Sequence, residues 1–166
     1  VPQAHRESPL LDDVHHVTTW TGNQAVRFCQ SADEPFLLWA GFAAQTAPPP
    51  PWSAMYAPGT LQLPDGAPTE DEDLLRARLV AHYGAVSHVD RQIGRMLATL
   101  TARGRTNNVF VFTAIRGAYL EHHGLDEDAP GPLYDAIVRV PLVIGGLLGQ
   151  RKGERDPALL SVSDIP

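Results

Sequence analysis

Phe110-Val-Phe-Thr-Ala-Ile-Arg-Gly-Ala-Tyr-Leu-Glu-His-His-Gly-Leu125 is the stretch on which the reading of the fold turns. With Val109 before it, the segment through Thr113 is a run of apolar and β-branched residues, the composition of a buried strand. Gly117 follows closely and supplies the turn freedom that lets a loop carry side chains toward a ligand. Open α/β sheets place their sites outside the carboxyl ends of their strands, so this loop is where chemistry is expected. A divalent metal, or a sulfuryl or phosphoryl group, needs hard oxygen ligands or imidazoles converging there. Ala114, Ile115 and Arg116 offer neither carboxylate nor imidazole.

Working outward, the chain alternates between elements and long irregular stretches. Residues 1–20 are polar, and Thr21-Gly-Asn-Gln24 has capping-box spacing for a short helix toward Cys29. Phe36 to Phe42 reads as a second buried strand, with Trp20, Ala25, Phe28 and Cys29 either covering one face of its sheet or forming an aromatic loop at an edge. Pro48 to Pro51 enforce an extended connection, and with Pro58, Pro64, Gly66 and Pro68 they make residues 45–68 one long ordered loop. Trp52, Met55 and Tyr56 favour packing of that loop on the domain over a role as a proline-recognition ligand.

The strongest helix spans residues 70–102. Thr69 and Glu72 have capping-box spacing, and Leu75, Leu79, Tyr83, Val86, Ile93, Leu97 and Leu100 recur mostly every three or four residues, with Arg76, Arg91 and Arg95 on the polar face. Gly104 ends it. His82 and His88 are six apart, without same-face ligand spacing, so they and His15-His16 read as surface or capping residues, and Asp90 and Arg91 as structural. Tyr134 to Ile144 leads into a strand ending at Gly145-Gly146, and Leu159 to Ile165 reads as the start of a short buried element.

Several blocks in order give the chain a family resemblance. Besides the opening stretch these are Pro35-Phe-Leu-Leu-Trp-Ala-Gly-Phe42, Tyr83-Gly-Ala-Val-Ser-His-Val-Asp-Arg-Gln-Ile-Gly94 and Leu133-Tyr-Asp-Ala-Ile-Val-Arg-Val-Pro-Leu142. The chain resembles the sulfatases and phosphonate monoester hydrolases of the alkaline-phosphatase-like superfamily, across almost its whole length. The resemblance implies an α/β fold with a mostly parallel central sheet flanked by helices, of which residues 1–166 form a partial domain. In that fold the 45–68 loop wraps over the active-site side of the sheet. The activity implied is divalent-metal-assisted hydrolysis of a sulfate, phosphate or phosphonate ester by a Cys- or Ser-derived nucleophile.

The departures fall at functional positions. Family members usually show Phe-Thr-Ser-Asp-His-Gly where this chain has Phe112-Thr-Ala-Ile-Arg-Gly117, so the Asp-His metal-ligand pair falls on Ile115 and Arg116. A His that contacts the transferred group falls on Thr46, and a frequent Lys falls near Pro130. The nucleophile motif, with Pro and Arg two and four positions later, is absent, and Cys29 does not replace it because Ser31 and Asp33 occupy those places. His123 matches a His of the second motif and is a remnant candidate, while Arg116 offers a guanidinium where the family holds an ion. His122, His123, Asp126, Glu127 and Asp128 are metal-capable residue types whose adjacency does not make them converge.

Composition bounds the rest. The 166 residues and 18.0 kDa suffice for one sizeable core, and 43% hydrophobic content argues against global disorder. A net charge of -6 gives no attraction to nucleic acid or an anionic membrane surface. No apolar run reaches the length of a membrane span, and the first residues lack the pattern of a signal peptide. One Cys excludes an internal disulfide. The expectation is a noncatalytic sulfatase-like subunit or pseudoenzyme portion, with Thr46, Ile115, Arg116 and His123 marking a vestigial pocket. It binds no cofactor by itself, and a divalent metal such as calcium enters only if a companion polypeptide with the missing segments completes the site. The alternatives are part of a hydrolase completed by another chain and a metal-free anion-binding module.

Overall fold

Two helices of unequal length organise the molecule. The structure, a computed structural model, describes residues 12–33, 35–43, 47–67, 70–125, 131–146 and 153–165. Helix α1 (Val17–Ser31) begins four residues before the expected Thr21, because the His16 imidazole supplies a cap that sequence pattern did not suggest: its Nδ1 accepts the Thr18 backbone N–H at 3.2 Å. Helix α2 (Glu72–Ala102) is capped by Asp71, which accepts the Leu74 N–H, and is about 46 Å long at 1.5 Å per residue. The Thr69 of the expected capping box lies outside the described residues. At the other end Gly104 takes φ +67° and its N–H reaches the Thr101 carbonyl, a left-handed stop that glycine adopts without strain.

The core lies between these helices. Thr18, Thr19, Gly22, Ala25 and Cys29 form a buried stripe of small residues on α1, which packs along α2 with Thr19 against His88 and Gly22 against Gln92; Leu75, Leu79, Val80, Gly84, Ala85 and Val89 are the other buried residues of α2. Small side chains allow close approach: a Cβ on Gly22 would lie 2.4 Å from Gln92 Oε1. Burial of one residue such as Leu79 contributes about 1.5–3 kcal/mol. The buried face is rotated from the expected one, since Tyr83 and Val86 are exposed while Gly84, Ala85, His88 and Val89 face inward.

The proline loop clamps onto α2. Pro48 and Pro49 are buried, Trp52–Ala54 and Pro58–Thr60 form short 3-10 turns, and Tyr56 Oη lies 2.7 Å from Ser87 Oγ. Arg76 donates to the carbonyls of Pro58 at 3.2 Å and Leu61 at 2.7 Å. A Cβ on Gly84 would sit 2.4 Å from the Trp52 carbonyl oxygen, so the loop and α2 touch backbone to side-chain-free backbone. Among the described residues the loop therefore covers a helix rather than a sheet.

Strand β1 (Val109–Thr113) pairs antiparallel with β2 (Leu142–Gly146), Val111 opposite Ile144, after the one-turn helix α3 (Asp135–Val138). This two-stranded antiparallel pair is the sheet found among the described residues; the mostly parallel sheet implied by resemblance is not formed among them. Phe36 to Phe42, read as a buried strand, joins no ladder among the described residues, leaving Leu37 92% and Trp39 83% exposed. A strand requires a hydrogen-bonded neighbour as well as an apolar pattern, and none is adjacent. Phe36 is held at its start by an edge-on contact with Phe28 and by the Arg105 guanidinium over its ring. The expected buried element at Leu159 to Ile165 contains a 3-10 turn, Val162–Asp164, and Leu159 and Leu160 before it are open to solvent.

Candidate functional site

At the carboxyl end of β1 the chain turns through Ala114, Ile115 and Arg116. Ile115 is 91% exposed, and Arg116 is exposed with its guanidinium donating to the Gly117 carbonyl at 3.2 Å. Gly117 adopts no left-handed conformation, contrary to the turn role read from sequence. It serves close approach instead, since its N–H donates to the Ile137 carbonyl at 2.8 Å and an added Cβ would lie 1.9 Å from the Ala136 carbonyl oxygen. That contact ties the loop after β1 to α3, and the buried Tyr119 reinforces it by donating its hydroxyl to the Pro132 carbonyl at 2.5 Å.

The loop then becomes strained. Leu120, Glu121 and His123 have φ of 48°, 66° and 59°, a region costing non-glycine residues about 1–2 kcal/mol each. An ion pair from Arg78 of α2 to Glu121 and a hydrogen bond from the Glu121 N–H to the Leu125 carbonyl hold this shape. His123 lies against Tyr134, ring centroids 4.3 Å apart. Together with His122, Asp135, Ala136 and Arg139 these two line an open cavity of about 520 Å³.

Of the sequence-derived pocket residues, Thr46 lies outside the described residues, Ile115 and Arg116 stand at the end of β1, and His123 lines the cavity beside Tyr134. Neither Ile115 nor Arg116 contributes to that lining. His122, Tyr134 and Arg139 are the neighbours that sequence reasoning did not attach to His123; the Leu133 to Leu142 block contained two of them, but nothing in its pattern showed which side they faced. A divalent cation does not fit Ile115 and Arg116, since one is a hydrocarbon and the other a permanent cation. No group of three or more His, Cys, Asp or Glu among the described residues is placed to hold a metal.

A second constellation lies inside the helix pair. His88 has no exposed surface, which corrects its reading as a surface or capping residue; His16 does cap a helix, though from a buried position. His88 Nε2 lies 2.8 Å from Thr19 Oγ1 and 3.0 Å from Asp13 Oδ1. Asp13 also accepts the Thr19 hydroxyl and the Trp52 indole N–H, each at 3.1 Å. The Trp52 ring stacks on His88 at 5.0 Å and 8°, and the His16 ring centroid lies 5.1 Å from that of His88. Burial pushes the His88 pKa below its ordinary value, His16 acts in the same direction, and Asp13 opposes them.

The motif order agrees with a comparison to known proteins, in which the family model described as Sulfatase matches residues 15–166. The chain belongs to the sulfatase family. This sulfatase-family chain is 30% identical over 179 residues to an arylsulfatase of Clostridium perfringens (strain 13 / Type A), covering 90% of the chain and 37% of that protein. It is 28% identical over 175 residues to an uncharacterized sulfatase, YidJ, of Escherichia coli (strain K12), covering 88% and 35%. The chain thus spans little more than a third of the length of these curated relatives. No helix among its described residues is long and apolar enough to cross a membrane.

Proposed function

We propose that this chain is a noncatalytic portion of a sulfatase-type assembly, a scaffold that shapes or completes a site whose reacting groups come from other polypeptide. The observation that carries the reading is the pair after β1, where an exposed Ile115 and Arg116 stand at positions that chemistry on a sulfate or phosphate ester would fill with metal ligands. Ester hydrolysis of this class needs a nucleophile to attack S or P, positive charge to stabilise the oxygens and a proton for the departing alcohol. Losing one well-placed electrostatic group costs about 100- to 1000-fold in rate, and here several roles have no residue. The bare apolar surface at Leu37 and Trp39, and the half-exposed Val111 and Ile144 on one face of the strand pair, supports a companion polypeptide seated against this chain.

Native mass spectrometry of the purified assembly, combined with hydrolysis assays on 4-nitrophenyl sulfate and phosphate, tests the proposal. The expected result is no turnover by the 166-residue chain with or without added calcium. Metal-dependent turnover by this chain alone would overturn it, and a companion chain with a bound divalent ion would redirect the reading to a shared hydrolase site. A metal-free anion site is a second reading, favoured by Arg139, His122 and His123 on one cavity. Titration with inorganic sulfate, followed by the ring signals of His122 and His123, checks it; no shift by 10 mM sulfate removes it.

A further inference from the structure

The hydrogen bonds around His88 fix which nitrogens carry protons. The Thr19 hydroxyl is directed at Asp13 Oδ1, so the oxygen-rich side of the His88 ring needs a donor, and Nε2 is the protonated nitrogen. His88 Nδ1 is then a bare acceptor, buried and without a hydrogen-bond partner. His16 has the same tautomer for a different reason. Its Nδ1 accepts the Thr18 N–H, so its proton sits on Nε2, which is likewise buried without a partner. Neither ring has a partner for a second proton, in a fold whose three pieces, α1, α2 and the Trp52 turn, meet at their edges.

We propose that the buried His16–His88 pair, bridged to Asp13 and roofed by Trp52, is a proton-operated latch that holds α1 and the proline loop on α2 at neutral pH and releases them on acidification. A proton on His88 Nδ1 makes a buried donor with no acceptor. One on His16 Nδ1 turns the helix cap into a second donor facing the Thr18 N–H, and sets positive charge at the end of α1 where the helix dipole is already positive. Two such cations would share a single carboxylate.

Among the described residues the titratable groups facing His88 are Asp13, from the turn before α1, and His16, its N-cap. Thr19 from α1 and the indole of Trp52 from the proline loop are neutral. On α2 itself, Gln92 is neutral and receives Arg95 at 2.5 Å, while Asp90 and Arg91 are exposed. Asp13 alone favours the charged ring, and burial outweighs it. The sign follows. An unfolded histidine titrates near 6.5, and His88 in the fold does so lower, so its contribution is fully present above about pH 6.5 and is lost as pH falls below that. The unfolding constant then rises up to about tenfold per pH unit for each proton taken up.

Three measurements on the 166-residue chain decide the matter. Urea unfolding between pH 5 and 8 should show the wild type losing stability below about pH 6.5, and His88→Gln should flatten that dependence by up to about tenfold per pH unit. Should the variant fail to fold, ring ¹⁵N spectra of the wild type take its place. They should show His88 neutral with its proton on Nε2 at pH 7.5, and its protonation should coincide with loss of amide protection in α1 and residues 49–54. Hydrogen exchange at pH 5.5 should open those two segments before the last turns of α2. A His88 ring that protonates above pH 6.5 with α1 still protected overturns the latch. So does simultaneous opening of the whole chain, or stability that rises on acidification as a charged His88–Asp13 pair would require.

Discussion

The helix pair and the strand pair of this molecule are built to different standards. Between α1 and α2, small residues, Gly22 and a buried polar cluster allow close packing, and the proline loop seals one side of α2, where Gly84 meets the Trp52 backbone. Between β1 and β2 the ladder is regular, yet Val109, Val111, Val143 and Ile144 remain 41–54% exposed, and the 36–42 segment joins no ladder among the described residues. The difference teaches that, among the described residues, the helices bury a shared face while the strand pair does not, which is the side of the molecule the proposed companion polypeptide would complete.

The largest effect that tests this contrast comes from truncating matched residues in the two halves. Leu79→Ala should cost about 2–5 kcal/mol, whereas Ile144→Ala should cost less than about 1 kcal/mol, both read from urea midpoints at constant slope. Equal losses would break the comparison. Next, Gly84→Ala should destabilise by about 1–3 kcal/mol, because its Cβ would meet the Trp52 carbonyl oxygen at 2.4 Å. Gly94→Ala, nearly three turns along the same helix with no atom within 4 Å of its Cβ, should instead stabilise by about 0.5–1 kcal/mol, and thermal melts of the pair check the opposite signs. The smallest expected change in stability is for Trp39→Ser, within about 0.5 kcal/mol, accompanied by less light scattering from the isolated chain. A large loss there would mean that the 36–42 segment is packed rather than bare.

These regions also differ in how far they could be read in advance. Helix α2 and strands β1 and β2 announced themselves through periodicity and β-branched runs, and the family blocks pointed to the loop after β1. The inward face of α2 did not, since the three- and four-residue spacing picks out Tyr83 and Val86 and passes over Gly84, His88 and Gln92, while the structure buries the latter. Close helix approach rewards small residues, and a satisfied polar cluster buries imidazoles that composition assigns to the surface. Helix α1 was placed late because His16 is an uncommon cap. For the candidate pocket, sequence order identified His123 and the substituted Ile115–Arg116 pair, but the grouping of His123 with Tyr134 and Arg139 depends on the Gly117–Ile137 contact across α3, which no local pattern encodes.

One contact at the far end of the helix pair governs the order in which the molecule can be made. Helix α1 has no basic residue in its last turn, and its terminal carbonyls are met by arginines that follow α2: Arg103 donates to Cys29 and Gln30, and Arg105 to Ala32. A 15-residue helix is marginal in isolation. During synthesis on a ribosome, residues 17–31 leave the exit tunnel more than seventy positions ahead of the side chains that finish them. These end contacts form only after Arg105 has emerged, so within this chain α1 is completed after α2.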